Sequence, residues 1–376
     1  MKKKVLGIVL ALTMVLGVGC GGAAGSTAPA AESQKTESTV ESSKVESVAE
    51  SSKAESAADA SKAESAAESK TESVVPENAE KAAVRLGLLK GPTGIGAAAL
   101  LDKNAEGTSS NAYEVTLAAE ATDIVSGIAA GQLDLAAVPT NAAATIYKKT
   151  EGGVQILALN TAGVLYILEK GETISSMADL KGKTIYSVGQ GSNPEYVLNY
   201  LLAQNGLTVG TDVTVEFLDS AELTTKAAAG EVDVCMLPVP AATTVLVKNS
   251  EMRSAINISE EWDKCENGSI LTMGCIIGRK EFIEANPDAV KAFLAEYEES
   301  INAVKADPAA GGALCEKYEI VPAAAIATKA IPQANLIYVD GAEIRPAIEG
   351  YYQVLFDADP KSVGGALPGD DFYPAE

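Results

Sequence analysis

The side chains of this chain that could meet a small molecule are hydroxyls, amides and a few charges, set among glycines. In the first half of the body they are Lys90-Gly91-Pro92-Thr93-Gly94-Ile95-Gly96, Glu120 to Thr122, Pro139-Thr140-Asn141 and Asn160-Thr161. In the second half they are Gly189-Gln190-Gly191-Ser192-Asn193, Glu195, Asp219-Ser220 and Pro238 to Ala241. Backbone N–H groups, hydroxyls and amides of this kind can hold a solute. They contain no evident pair of nucleophile and base. The chain has no histidine, which removes Ser–His–Asp triads, histidine acid–base catalysis and most catalytic zinc sites. Gly189 and Gly191, after a strand and before a helix, have the spacing that opens a dinucleotide site. The third glycine is missing and Pro194 stands in its place, so that reading falls away.

The elements that must position these residues are visible in a duplicated stretch. Residues 130–143 read AGQLDLAAVPTNAA and residues 229–242 read AGEVDVCMLPVPAA, which places Gly131, Asp134 and Pro139 over Gly230, Asp233 and Pro238. Short apolar runs bounded by glycine and proline are strands buried on both faces, as in a parallel sheet. The proline ends the strand and opens the next helix, where no N–H donor is needed. Ligands of open parallel sheets sit beyond the strands' C-terminal edges, at helix N-termini. That rule selects Lys90, Gly91, Thr93, Gly94, Thr140, Asn141, Asn160 and Thr161 on one unit. On the other it selects Gln190, Gly191, Ser192, Asn193, Glu195, Asp219 and Pro238. Asp134 and Asp233 begin their strands, at the opposite edge, and read as scaffold that caps the preceding turn.

The formal net charge of −22 argues against nucleic acid as a partner. The only arginines are Arg85, Arg253, Arg279 and Arg345, and no cysteines form a C-x-x-C pair. Cys235, inside an apolar strand, reads as a small core residue, and Cys315, on a predicted helix, reads as a partly buried thiol. Cys265 and Cys275 are close enough in sequence to pair or to remain free.

The N-terminus reads as an address followed by a tether. Three lysines, an apolar run from Val5 to Gly19 and then Cys20-Gly21-Gly22 have the form of an export signal. The lone cysteine behind small residues resembles a bacterial lipobox, with cleavage after residue 19 and lipidation of Cys20. Leu16 stands one place further from Cys20 than in the usual pattern. Residues 20–82 then form a tether, with K-x-E-S recurring at Lys35, Lys44, Lys53, Lys62 and Lys70 and no aromatic residue. Such a segment cannot bury enough surface to offset its ordering entropy, and as a flexible chain it reaches roughly 40–45 Å.

From Val84 the pattern is strand–helix–strand–helix–strand, twice. The first unit runs from VRLGLLKG through a helix capped by Thr122 to DLAAVP and the helix at Asn141. Strands follow at Val154–Asn160 and Val164–Glu169. The second unit contains TIYSV, a helix opened by Ser192/Asn193-Pro194-Glu195, VTVEFLD and the second copy of the motif. Ile270–Gly278 returns toward the first unit, an amphipathic helix starts at Asn286-Pro287-Asp288, and a last helix runs to Phe356. The expected organisation is a first lobe of residues 83–170 with 270–376 and a second lobe of residues 171–269. The chain is expected to cross near Glu169–Asp179 and again near Asn249–Ser269, where a hinge would lie.

Together these features resemble the substrate-binding lipoproteins of ABC importers, in the branch similar to nitrate, sulfonate, taurine and thiamine-precursor binding proteins. The residues that carry the resemblance are DLKGKTI (Asp179–Ile185), the G-x-G-S helix start after it, and the acid–strand–proline phrase. It implies an α/β fold of the type II periplasmic-binding-protein kind, with two duplicated lobes, mainly parallel sheets and hinge strands. It also implies a monomer without a cofactor or enzymatic activity. Such a protein would be anchored by lipid to the outer face of the bacterial cytoplasmic membrane. It would capture a small organic anion or zwitterion and deliver it to a permease driven by a cytoplasmic ATPase. The same receptor serving a sensor, with no transport role, is the alternative. A related branch synthesises pyrimidine by consuming its own histidine, which this chain lacks. Pro238-Val239-Pro240-Ala241 has none of the acidic and aromatic residues that relatives place at that turn.

Overall fold

The computed structural model describes residues 81–375. The signal, lipobox and tether assignments, Cys20 among them, lie almost entirely outside those residues. The chain begins with β1 (Ala83–Leu89), α1 (Pro92–Ile95), α2 (Ala98–Ala105), β2 (Ala112–Ala118), α3 (Ala121–Ala129), β3 (Leu135–Pro139), α4 (Thr140–Lys149) and β4 (Val154–Ala162). It continues through β5 (Leu165–Lys170), β6 (Thr184–Ser187), α5 (Asn193–Gln204), β7 (Thr214–Phe217), α6 (Ser220–Ala229), β8 (Val234–Pro238), α7 (Ala241–Lys248), β9 (Met252–Asn257) and α8 (Ile258–Asp263). The remainder is β10 (Thr272–Arg279), α9 (Lys280–Ala285), α10 (Pro287–Ala306), α11 (Pro308–Lys317), α12 (Ala324–Ala330), β11 (Leu336–Asp340) and α13 (Ile344–Ala358).

Two sheets result, ordered β11-β4-β10-β3-β1-β2 and β7-β6-β8-β5-β9. Each contains a parallel trio, β2-β1-β3 in one and β7-β6-β8 in the other. Next to each trio lies an antiparallel strand that has just arrived from the other lobe: β10 beside β3, and β5 beside β8. The duplication expected from the repeated phrase is therefore a duplication of strand order as well.

This exchange moves the expected lobe boundary. Leu165–Lys170, expected in the first lobe, pairs with β8 and β9 in the second sheet. The outgoing crossing is at Gly163-Val164, not at Glu169–Asp179. Glycine marks it for a steric reason: a Cβ at Gly163 would lie 2.7 Å from Leu271 Cδ2 and would also strike Ser259 Oγ. The outgoing and returning segments thus touch at that point. The returning chain leaves the second sheet after β9 and enters the first at Thr272.

Local choices follow the sequence. The apolar stripe Val290, Phe293, Tyr297, Ile301 and Val304 of α10 is buried against the first sheet's core, as an i, i+3/i+4 pattern requires. Asp219 caps α6 by accepting from Ala221 N and Glu222 N, and Gly230 ends that helix with φ 74°, a left-handed conformation that glycine adopts without a Cβ penalty. The helix after β2 starts two residues earlier than a Thr122 cap requires, at Ala121 with Glu120 as its N-cap residue, so Thr122 lies inside it and does not cap it. Strands β9 and β11, which pair at sheet edges, lie outside the strands expected from sequence. Strand β9 (MRSAIN) lacks the continuous apolar run that marks a central strand, whereas β11 carries one at Leu336–Val339.

One apolar cluster runs through both lobes. It passes from Ile124, Val138 and Leu159 through Tyr352, Tyr351 and Trp262 to Ile185, Leu198 and Val234. Helix α13 supplies the bridge, so it belongs to neither lobe alone. The four cysteines of the described residues are free, so Cys265 and Cys275 are not bridged. Among the described residues no helix is long and apolar enough to cross a membrane.

Candidate functional site

The strand-edge residues of the first lobe come together as one buried polar cluster. Asn160 at the end of β4 donates through Nδ2 to Thr93 O (3.3 Å) and to Tyr297 Oη (2.9 Å). Thr161 Oγ1 donates to Asn160 Oδ1 at 3.0 Å. Thr140 Oγ1 lies 3.1 Å from Thr272 Oγ1, whose hydroxyl also reaches Thr161 O at 3.3 Å. Buried polar groups must find partners or bear a desolvation cost, and each of these does. Gly274 sits at the centre of the cluster. A Cβ there would lie 2.5 Å from Asn160 Oδ1, 2.6 Å from Thr93 Cγ2 and 3.0 Å from Thr161 Oγ1.

The second lobe contributes the N-terminus of α5. Gly189 and Gly191 both have positive φ, which lets the Gly189–Ser192 turn close on itself through Ser192 Oγ donating to Gly189 O at 2.7 Å. Glu195 closes the turn from the helix side by accepting from Gly191 N at 2.6 Å. Asn193 is buried and reaches across to the first lobe, donating through Nδ2 to Met273 Sδ at 2.9 Å. Its Oδ1 accepts from Tyr351 Oη at 3.1 Å. The neighbouring Tyr352 donates to Thr140 O at 2.8 Å. Adjacent tyrosines of α13 therefore hold the N-terminal residue of one facing helix from each lobe.

The other expected residues occupy the rim or the scaffold. Lys90 pairs with Glu319 at 3.3 Å, with both side chains largely exposed. Together with Gly91, Pro240, Ile320 and Pro322 they line a cavity of about 510 Å³. Gly94 is buried inside α1, and a Cβ there would be blocked by the backbone at Leu89. Asn141 and Gln190 stay at least partly exposed beside the cluster. Pro238 pairs with Leu165 of β5, and the Val239–Pro240 peptide that follows is cis. Asp219 is engaged as the cap of α6.

Thr272, Met273, Gly274, Tyr297, Tyr351 and Tyr352 complete the cluster and escape sequence reasoning. All lie on the returning chain or beyond it. The phrase LTMGC stands out in the sequence, but nothing local says that its strand inserts beside β3. Electrostatically the cluster is quiet: its groups are hydroxyls and amides, and burial pushes the Tyr297 and Tyr351 phenols above their ordinary range. Cys275, on the same strand, is also pushed up by burial, so it stays a neutral thiol. Among the described residues no group of three or more His, Cys, Asp or Glu could hold a metal ion.

The aspartates of the repeat sit at the far edge, as their strand positions required. Asp134 is 3% exposed and accepts from Arg85 N (3.0 Å), Arg85 Nε (2.9 Å) and Arg279 Nη2 (2.9 Å). It is an ion-pair hub joining β1, β3 and β10, not a turn cap. Its twin Asp233 is exposed.

Two α/β sheets exchanging strands through two crossings, with helix N-termini facing between them, define the two-lobe fold of periplasmic binding proteins. Solved structures of that fold superimpose on this chain. An ABC transporter protein from Parabacteroides distasonis aligns with a TM-score of 0.67 at 20% identity, covering 79% of this chain and 100% of that one. The periplasmic aliphatic sulphonate binding protein SsuA from Escherichia coli aligns with a TM-score of 0.59 at 19% identity, covering 76% and 96%. By sequence, residues 112–311 match the family described as NMT1/THI5 like, more than half of the chain, and the chain belongs to that family. A candidate binding protein of Brucella abortus is 26% identical over 206 residues, 55% of this chain. The chain spans 61% of the length of that relative.

Proposed function

We propose that this protein is the extracytoplasmic solute-binding component of an ABC importer, and that its solute is a small organic anion or zwitterion held between the lobes. One observation carries the reading. The N-terminal residues of α4 and α5, one from each lobe, are held by adjacent tyrosines of a single helix, next to a cluster of threonines and asparagines. Helix N-termini and uncharged N–H and O–H donors favour oxygen acceptors that carry negative charge. The fold shared with the sulphonate-binding protein of Escherichia coli, and with one from Xanthomonas axonopodis bound to MOPS, supports the same class of solute.

Closure of the lobes on the solute would present a surface for a permease, with the chain tethered through Cys20 and residues 20–82. The crossings at Gly163-Val164 and between β9 and β10 would supply the hinge. In this reading the protein performs no chemistry: binding energy goes into lobe closure, and transport energy comes from the partner ATPase.

Mass spectrometry of solute released on denaturing the purified protein tests the proposal. A sulfonate, carboxylate or amino acid in the released fraction is the expected result. A cationic polyamine would overturn the anion preference, and turnover of the released compound by the purified protein would overturn the non-enzymatic reading.

A further inference from the structure

Met273 occupies an unusual place in the returning strand. Along β10 the pairing with β4 steps from Thr272↔Ala162 to Gly274↔Thr161, so two steps on one strand match a single step on the other. Met273 is the extra residue. Bulges of this kind re-aim a side chain and recur beside functional sites. Here the side chain is partly buried and packs against the cluster that spans both lobes and also against the separate core of the second lobe. Its sulfur accepts the 2.9 Å hydrogen bond from Asn193 Nδ2.

That hydrogen bond is chemically unequal. The Asn193 amide is oriented by the sulfur: a thioether can accept but cannot donate, so the group facing it is N–H, and the fully buried Tyr351 Oη serves Oδ1. A buried amide N–H has thus been given a weak acceptor. Methionine is unbranched and has three rotatable bonds, so it can vacate the position at low cost.

We propose that Met273 is a displaceable plug that stands in for the solute. Resting on the solute-capture reading above, the assignment is that an oxygen of the solute takes the place of Met273 Sδ on Asn193 Nδ2. Met273 then swings aside to pack on the solute's apolar part. The residue thereby sets specificity twice: the solute must bring an oxygen acceptor to Asn193, and it must present an apolar surface to the displaced thioether.

The test uses the full chain labelled with 13C-methyl methionine, with the Met273 resonance assigned by its loss in M273L. The probes are taurine, methanesulfonate and MOPS, together with any solute recovered by denaturation, and binding is measured in parallel by calorimetry. On binding, the Met273 methyl is expected to shift, while those of the fully buried Met177 and Met236 stay in place. M273L preserves volume but leaves the Asn193 N–H without an acceptor until solute arrives, so it should bind the same probe about threefold tighter, the worth of one weak hydrogen bond. A probe that binds while the Met273 methyl stays unmoved overturns the plug and leaves solute capture standing. If no probe binds and no solute is released, the capture reading falls and the plug with it.

Discussion

Asp134 and Asp233 occupy equivalent places in the repeated phrase, yet the structure assigns them unequal weight, and this inequality can be measured. Replacing Asp134 by alanine removes the shared acceptor of two guanidinium groups and leaves Arg85 N–H without its side-chain partner. Removing one partner of a fully buried ion pair costs about 3–5 kcal/mol. Here the Arg85 and Arg279 side chains keep 38% and 20% exposure, so water can serve part of their need. The expected loss is about 2–3 kcal/mol after that discount. Asp233 is exposed, and D233A should stay within about 0.5 kcal/mol. Urea titration followed by circular dichroism gives both values, with a shifted midpoint and an unchanged slope as the signature of a pure stability effect. Solute affinity should survive D134A, because five strand residues, about 16 Å, separate Asp134 from the binding edge. Burial alone would raise the Asp134 pKa, but the hydrogen bonds from Arg85 and Arg279 outweigh it and hold it below its ordinary 3.8. The Asp134 contribution is therefore complete above that value and is lost as pH falls through the lower, folded one. Equal midpoints for D134A and D233A would refute the reasoning, as would a D134A variant of full stability that no longer binds solute.

Three further outcomes follow from named contacts. G274A places a methyl group into Asn160, Thr93 and Thr161. It should cost about 1–3 kcal/mol by overpacking and weaken solute binding about tenfold, or about 1.4 kcal/mol, as read by melting temperature and calorimetry. G163A wedges the two crossing segments apart at Leu271 and Ser259. It should reduce the solute-induced change in radius of gyration seen by small-angle scattering, with an unchanged compaction counting against the hinge assignment. Glu169, 2% exposed, accepts from Thr173 N and Oγ1, Ile174 N and Arg253 Nη2. Burial pushes its pKa up, but these bonds prevail and hold it below 4.5. Its contribution is present above pH 4.5 and fades as pH falls through the folded value, so E169Q should flatten the acid limb of the stability–pH curve.

Much of the fold was legible because its signals are local. An apolar run between glycine and proline reports burial on both faces whatever the strand's neighbours are, so LAAVP and VCMLP declared themselves central strands. Chain direction then placed Asp134 and Thr140 at opposite ends of one strand without any tertiary information. The polar residues at or beyond the strands' C-terminal ends, Thr93, Thr140, Asn160, Thr161 and Asn193, are the ones the structure gathers. The neighbours of each strand and the lobe boundary were not legible: β5 looks the same in sequence whichever sheet it joins, and nothing in β9 or β11 says that it closes a sheet edge.

The sequence by itself determined that there are two similar α/β units, that the C-terminal edges of their strands carry hydroxyls, amides and glycines, and that these residues include no histidine. Only the tertiary structure decided who meets whom. Arg85 reaches Asp134 across 49 residues and Arg279 reaches it across 145, while among the described residues no such partners come to Asp233. Met273 finds Asn193 across 80 residues, and Tyr352 finds Thr140 across 212. The reason is physical. Periodicity and turn chemistry depend on neighbours along the chain, whereas the strand exchange that inserts β10 into the first sheet depends on packing between segments far apart in sequence. The residues that complete the site arrive with that strand and with the helix that closes the chain.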